Sequence, residues 1–488
     1  MFRSSASWTY KMDHRFRGER TGLIELGAVS ERRSREECEI IVDQYAKEAI
    51  DHFVPYNLRR ELIGWARSYY TLEGHMAAIM KYGRTKIPEP RDQTWNQVKQ
   101  MVLTEVRRWP KVRSKSYLNF DEVKWLRSSA AGYGYVGLKG DNDNYSIAKR
   151  TAVTIAERLN HDRSYGPVAL ENSTPDIAFT RTQLSLIKVK RKVRNVWGEA
   201  FHYVLLEGLF ADPLIEYFIE HRSFYFIGRN PLLAVPALIE EILLGSDYIY
   251  MFDWSAFDAS VQEWEIRYAF EILETILTFT SSVEEQVWRF LIELFIYRKI
   301  ACPDGALLIK TMGIPSGSCF TNMIGSITNY VRIQYIFMKL TNNPVQAFTH
   351  GDDSLAGVNA TQYIQMDTIS EFCSQFLWEL NASKSDVSNK LENISFLSRT
   401  VKEGQNARDE LLCLRMLQYP EYPVHDGAIS ALRAESIYQD SGVTSQYLPQ
   451  ISLFLTRKYG KAHNLPRELA RWDLIQYEML RASVSELL

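Results

Sequence analysis

The sequence predicts an α+β protein in which an antiparallel sheet is backed by helices. Three observations lead there. Short aromatic and β-branched runs, DYIYMFD (247–253), VQAFTH (345–350) and SLAGV (354–358), read as strands. Amphipathic stretches long enough for helices stand between them. The order through the middle third is strand–helix–helix–hairpin–helix, which indicates a sheet with helices on one face. At 488 residues the chain exceeds one small core, so two to four subdomains or one multi-lobed enzyme are expected.

Up to about residue 125 the pattern is helical, as in YNLRRELIGWARSYYTLEGHMAAIMKYG (56–83) and DQTWNQVKQMVLTEVRRW (92–109). A glycine-rich stretch, SSAAGYGYVGLKGDN (128–142), precedes another helical segment. In IKVKRKVRNVWG (187–198), Lys188, Lys190, Arg191, Lys192 and Arg194 crowd together. If that segment is extended, Lys192 and Arg194 point to one face while Val193 packs behind. After the 247–253 strand, Ser260 to Glu263 reads as a capping box. It opens a helix striped by Val261, Trp264, Tyr268, Leu273 and Ile276. KIACPDGALLIK (299–310) is a hairpin around Pro-Asp-Gly, and PSGS (315–318) feeds a long helix, FTNMIGSITNYVRIQYIFMKL. A helix around 361–380, a strand near NISFLSRT and a helical C-terminal lobe from about 401 complete the pass.

Composition excludes several classes. With 46% hydrophobic and 24% charged residues the chain is globular, and a net charge of −2 leaves polyanion binding to local patches. Cys38, Cys302, Cys319, Cys373 and Cys413 show no metal or disulfide spacing, which points to a reducing compartment. No secretory h-region and no membrane-spanning stretch is visible, so an intracellular soluble protein is expected and the sequons at Asn172, Asn381 and Asn393 carry no weight.

Two acidic sites carry chemistry. In AFTHGDDSLAG (347–357), Asp352 and Asp353 sit in a tight turn between two strands, where they repel each other. In FDWSAFDAS (252–260), Asp253 ends a strand and Asp258 follows beside the next helix. Each alone has an ordinary reading: a solvated Gly-Asp turn, or an Asx turn or N-cap at Asp258. Together, neighbouring strands would bring Asp253 and Asp352 to a shared Mg²⁺, which takes oxygen ligands and leaves positions for phosphate. Two such ions can activate a hydroxyl and neutralise a leaving pyrophosphate. The basic cluster would hold a triphosphate, and the PSGS backbone would offer donors at a helix start.

These pieces, in this order, resemble a viral RNA-dependent RNA polymerase, motif by motif most like those of partitiviruses, which are double-stranded RNA viruses. KVKRKVRNVWG corresponds to motif F, DWSAFD to A, GIPSGSCFTNMIGSITN to B, HGDD to C, the region around NASKS to D, FLSR to E and SSAAGYGY to G. The resemblance implies a right-hand fold of fingers, palm and thumb: an N-terminal extension and fingers over 1–246, a palm over 247–400 with a fingers insertion at about 280–312, and a helical thumb over 401–488. It implies that the first 60 residues bridge fingers and thumb. Asp253, Asp352 and Asp353 would hold two Mg²⁺ ions, with Mn²⁺ as a substitute, and Lys384 would protonate pyrophosphate. Lys192, Arg194, Asp258, Ser316, Thr321 and Asn322 would bind the NTP, and Ser129, Gly132 and Gly317 the template.

The related enzymes often place an Asn four residues after the motif B threonine, against the Asp258 equivalent. Here that position is Gly325, and Asn322 is favoured over Asn329 for the ribose. Asp258 can accept from a 2′-hydroxyl. Gly351 before the acidic pair also favours ribonucleotides over the YxDD pattern of a reverse transcriptase. A capsid-like RNA-packaging protein would leave Asp253 and Asp352 without a task. The implied function is replication and transcription of a double-stranded RNA genome in the virion interior and host cytoplasm. The implied partners are RNA, NTPs and a capsid protein, with no membrane and no DNA.

Overall fold

The computed structural model describes residues 20–33, 40–162, 164–188, 193–442 and 444–462. Strand β1 (Leu23–Ala28) precedes helices α1 (Gln44–Phe53), α2 (Leu72–Met80), α3 (Gln93–Val106) and α4 (Asn144–His161). Strands β2 (Asp176–Thr182) and β3 (Val193–Gly198) lead to α5 (Phe201–Glu220) and α6 (Pro231–Leu244). Next come β4 (Tyr248–Met251), α7 (Glu263–Ile276), α8 (Ser282–Ile296), and the hairpin of β5 (Arg298–Ala301) and β6 (Ala306–Lys310). Helix α9 (Thr321–Thr341), the hairpin of β7 (Gln346–His350) and β8 (Asp353–Val358), α10 (Met366–Ser374) and β9 (Asp386–Ser388) follow. Helices α11 (Glu410–Gln418), α12 (Gly427–Ser441) and α13 (Leu448–Tyr459) close the described chain.

The mixed α+β class holds. Strands β7, β8, β4 and β9 form an antiparallel sheet in that order, with Tyr250 of β4 opposite Ala356 on one side and Val387 on the other. The expectation of helices on one face is corrected: both faces are covered. Tyr250, Phe252, Ala347, Ala356 and Val358 pack into the core that holds Ile333, Ile336 and Phe337 of α9. Ile249, Met251, Phe348 and Leu355 turn the other way, onto Val235, Ile239 and Ile242 of α6. DYIYMFD is apolar at successive positions, and a strand whose two faces are both apolar is buried on both.

A second sheet runs β1-β6-β5-β2-β3, antiparallel except for β2 beside β5. The strand before residue 60 thus joins this sheet. Helix α1 leaves it for the C-terminal helices, where Ala46, Ala49 and Ile50 pack among Leu414, Leu417, Ala434, Ile451 and Leu455. Buried Asp43 caps α1, accepts from Ser430 Oγ at 2.8 Å and pairs with Arg433.

Two boundaries differ from the sequence reading. The capping box is Gln262 with Glu265, not Ser260 with Glu263. Ser260 instead ends a short turn of helix and donates back to the Phe257 carbonyl at 2.7 Å. The helix expected around 361–380 is confined to Met366–Ser374, after which Leu377 adopts φ +55° and the chain turns back to the sheet. Among the described residues no helix is long and apolar enough to cross a membrane.

Candidate active site

A cleft of about 1520 Å³ opens beside the four-stranded sheet, lined by Asp253, Asp258, Asp352, Arg194, Ser316, Thr321 and Lys384 among others. Asp253 lies two residues beyond β4, where its N–H donates to Ser385 Oγ at 2.9 Å and its carbonyl accepts from Asn381 N–H at 2.8 Å. The β7–β8 hairpin pairs His350 with Asp353, so Gly351 and Asp352 form a two-residue turn. Gly351 takes φ +61°, which such turns favour and glycine tolerates. The β4–β8 register, continued past Tyr250, places Asp253 opposite Asp353. The two acidic stretches therefore meet at one end of adjacent strands.

The PSGS loop forms the adjoining wall. Thr321, the first residue of α9, donates from Oγ1 to the Pro315 carbonyl at 2.8 Å and accepts from Gly317 N–H at 3.2 Å. Trp197 N–H on β3 donates to the Ser316 carbonyl at 2.8 Å. Ser316 Oγ in turn donates to the Asp258 carboxylate. Gly317 at φ +146° lies so close to Trp197 that an added Cβ would sit 2.1 Å from its carbonyl oxygen. Ser129 and Gly317 line the cleft. Gly132 does not. It is buried, and a Cβ there would meet the Glu199 carbonyl at 2.5 Å. Asn322 lies near Gly351, and its side chain takes a bond from Ser326 Oγ at 3.3 Å, so the described partner of Asp258 is Ser316.

Charge accumulates here. Burial, then Asp352 and Asp253, push the Asp353 carboxyl up to about 7, although the residue keeps surface open to solvent. Burial also raises Asp258 to about 6 against the pull of Ser316 and Arg194. Arg194 is exposed on β3 with Val193 buried behind it, as the alternation requires; Lys192 lies outside the described residues. Lys384 is exposed in the turn before β9. An all-oxygen donor set with unbalanced negative charge fits a hard divalent cation. Among the described residues no three or more His, Cys, Asp or Glu side chains form a complete cage. Mg²⁺ does not need one, since one or two carboxylates with water and phosphate oxygens suffice.

Comparison with known proteins decides the family. The model of the viral RNA-dependent RNA polymerases matches residues 41–456. The chain belongs to that family. It is similar to the RNA-directed RNA polymerase of White clover cryptic virus 1, 24% identical over 280 residues, covering 49% of this chain and 44% of that protein. It is also similar to the RNA-directed RNA polymerase of Cryptosporidium parvum virus 1, 37% identical over 154 residues, or 31% of this chain and 28% of that one. A genome polyprotein of human hepatitis A virus matches at 25% over 276 residues, 51% of this chain but 12% of the polyprotein. The chain thus spans less than half the length of these relatives. The resemblance to partitivirus polymerases in the ordered motifs agrees with these matches.

Several contacts around this site escaped sequence reasoning. Arg181 stands directly cross-strand from Arg194 and lines the same cleft, doubling the cationic wall. Only the strand character of AFTRT hinted at it. Asn329, fully buried, accepts the Trp254 indole N–H at 3.0 Å and donates to the carbonyls of Gly351 (3.0 Å) and Asp352 (2.9 Å). Ser326 Oγ accepts Gly351 N–H at 2.8 Å. Arg332 is sunk among Trp254, Phe257 and Trp378 and forks onto Glu265 at 2.6 and 2.9 Å. Asn329 and Ser326 fix the main chain at Gly351 and Asp352, and no local pattern announces them.

Proposed function

We propose that the chain carries out template-directed RNA synthesis, replicating and transcribing a viral double-stranded RNA genome. The observation that carries this is the meeting of Asp253 and Asp352 at adjacent strand ends, in a cleft that also presents Arg194 and the Asp258–Ser316 pair. In this reading residues 1–246 are extension and fingers, 247–400 palm and 401–488 thumb. Asp253 and Asp352 hold two Mg²⁺ ions, or Mn²⁺, with Asp353 assisting. Ions bound there supply positive charge to an attacking 3′-hydroxyl and to the departing pyrophosphate.

The protein's own groups do the rest. Arg194, joined by Lys192, orients the triphosphate through guanidinium–phosphate bonds. Asp258, steered by Ser316, accepts from the ribose 2′-hydroxyl, while Thr321 keeps the loop shut and Asn322, beside Gly351, is a further NTP contact. Ser129 and Gly317 guide the template. Lys384 delivers a proton to the leaving group, as its place on the cleft rim allows. RNA and NTPs are the ligands. A capsid protein as partner and a particle interior as location rest on the partitivirus resemblance.

The test incubates purified protein with a single-stranded RNA template, four NTPs and Mg²⁺, beside Asp352→Asn. Template-length product from the wild type alone, with RNA affinity equal in both, is expected. Product that requires dNTPs, or product undiminished in the variant, would overturn the reading.

A further inference from the structure

Behind the cleft lies a buried charge centre that the chemistry above does not use. Glu207 of α5 is fully enclosed, and its carboxylate takes Ser318 Oγ–H at 2.9 and 2.8 Å, Cys319 N–H at 2.8 Å and one Arg298 nitrogen at 3.0 Å. Arg298 is equally enclosed and also donates to Glu199 at 2.8 Å and to Asp176 at 3.4 Å. Glu199 directly follows β3, the strand that bears Arg194. One guanidinium therefore ties the triphosphate side of the cleft to the far end of the PSGS loop.

That loop is pinned at three places. Thr321 holds Pro315 and Gly317, Trp197 N–H holds Ser316, and Glu207 holds Ser318 and Cys319. A hydroxyl and an N–H given to one carboxylate are directional, charge-assisted bonds, strong where water is excluded. A buried ion centre contributes little net stability compared with an apolar replacement, but it fixes geometry. What it fixes here is the segment from which Ser316 reaches Asp258.

We propose that Glu207, held by Arg298, is a positioning residue that sets the PSGS loop and through it the choice of ribonucleotide over deoxyribonucleotide. This rests on the polymerase reading of the same site. The expected signature is a split. Without the anchor, Ser316 no longer aims the Asp258 carboxylate, so KM for an NTP rises while KM for the matching dNTP moves little.

The experiment measures single-nucleotide incorporation on a primed RNA template by full-length wild type, Glu207→Gln, Ser318→Ala and the double variant, with NTP and with dNTP. Glu207→Gln keeps the shape but faces Arg298 or the loop donors with an amide N–H₂. Its KM for NTP should rise about tenfold, the worth of one charge-assisted bond, and the NTP/dNTP preference should fall by a similar factor. Ser318→Ala, which spares Arg298, should shift the preference the same way by less, and the double variant should be no worse than Glu207→Gln. Equal losses on both nucleotides, or additive effects in the double variant, would overturn the proposal, and if Glu207→Gln fails to fold, an unchanged preference in Ser318→Ala does so. A wild type that incorporates neither nucleotide refutes the polymerase reading itself, an outcome distinct from an active enzyme with unaltered preference.

Discussion

Asn329 gives the sharpest test of how the Gly351–Asp352 turn is held. Its three bonds join the indole of Trp254, next to Asp253, to the two carbonyls of the turn that presents Asp352. Asn329→Ala leaves the indole N–H with no partner at a cost of about 1–3 kcal/mol, and each turn carbonyl forfeits about 0.5–1.5 kcal/mol. The sum, roughly 2–6 kcal/mol, is read as a shifted denaturation midpoint. Activity should suffer more than folding: a displacement of the turn by about 1 Å lowers turnover on the order of 10²-fold. Asn329→Asp separates the two effects, because its carboxylate still accepts from Trp254 but cannot donate to the carbonyls. It should turn over at least as slowly as Asn329→Ala. The assay is nucleotide incorporation per RNA-bound enzyme. Wild-type turnover in a variant of measurably reduced stability would show that the turn is held by Ser326 and the sheet alone, and the reasoning would fall.

Other expectations follow from neighbouring geometry. Arg332→Met leaves the buried Glu265 charge with only the Gln262 N–H and should cost about 3–5 kcal/mol in denaturant unfolding, with part regained in Arg332→Met/Glu265→Gln, which keeps the cap acceptor. Gly317→Ala must force backbone against backbone at Trp197, so NTP binding should collapse by at least about tenfold in KM. Gly351→Ala should cost only about 1–2 kcal/mol, for the nearest atom to its Cβ is Asn322 Nδ2 at 3.6 Å and the strain is that of φ alone. Burial pushes His202 down to about 4 from the ordinary 6.5. The unfolded chain therefore takes up a proton before the folded one, and stability is lost as pH falls from 6.5 through 4. His202→Gln, still able to bond Tyr135 and Thr174, should flatten that part of the stability–pH curve.

The Gly351–Asp352 turn, the β5–β6 hairpin and the long helix after PSGS were legible because each is encoded in one continuous stretch of chain. Turn chemistry and apolar periodicity are local signals. The Arg298 centre was not legible: its acids lie 91 to 122 residues away, on β2, just after β3 and on α5. Asn329 shows a subtler limit. The sequence ranks it behind Asn322, and only the sheet's position reveals that Asn329, two turns up the helix from Thr321, meets the Asp352 turn. The capping box lies two residues further on because Ser260 belongs to the preceding helical turn, where its hydroxyl donates to Phe257. Strand β1 pairs with β6, almost 300 residues on, and its LIELGA pattern is too short to call.

The packing of α1 against the C-terminal helices bears on how the chain is made. Ala46, Ala49 and Ile50 leave the ribosome ahead of the side chains that enclose them, from Cys413 to Leu455, which follow roughly 360 residues later. At about 5–20 residues per second, α1 waits on the order of 20–70 s with its apolar stripe uncovered. The final closure joins the two ends of the described chain, a loop whose entropy is met only when everything between has formed. A nascent chain halted before residue 410 would hold both acidic stretches of the site and still lack the partners of α1. Chaperones would meet this protein over α1 until the helices from residue 410 onward arrive.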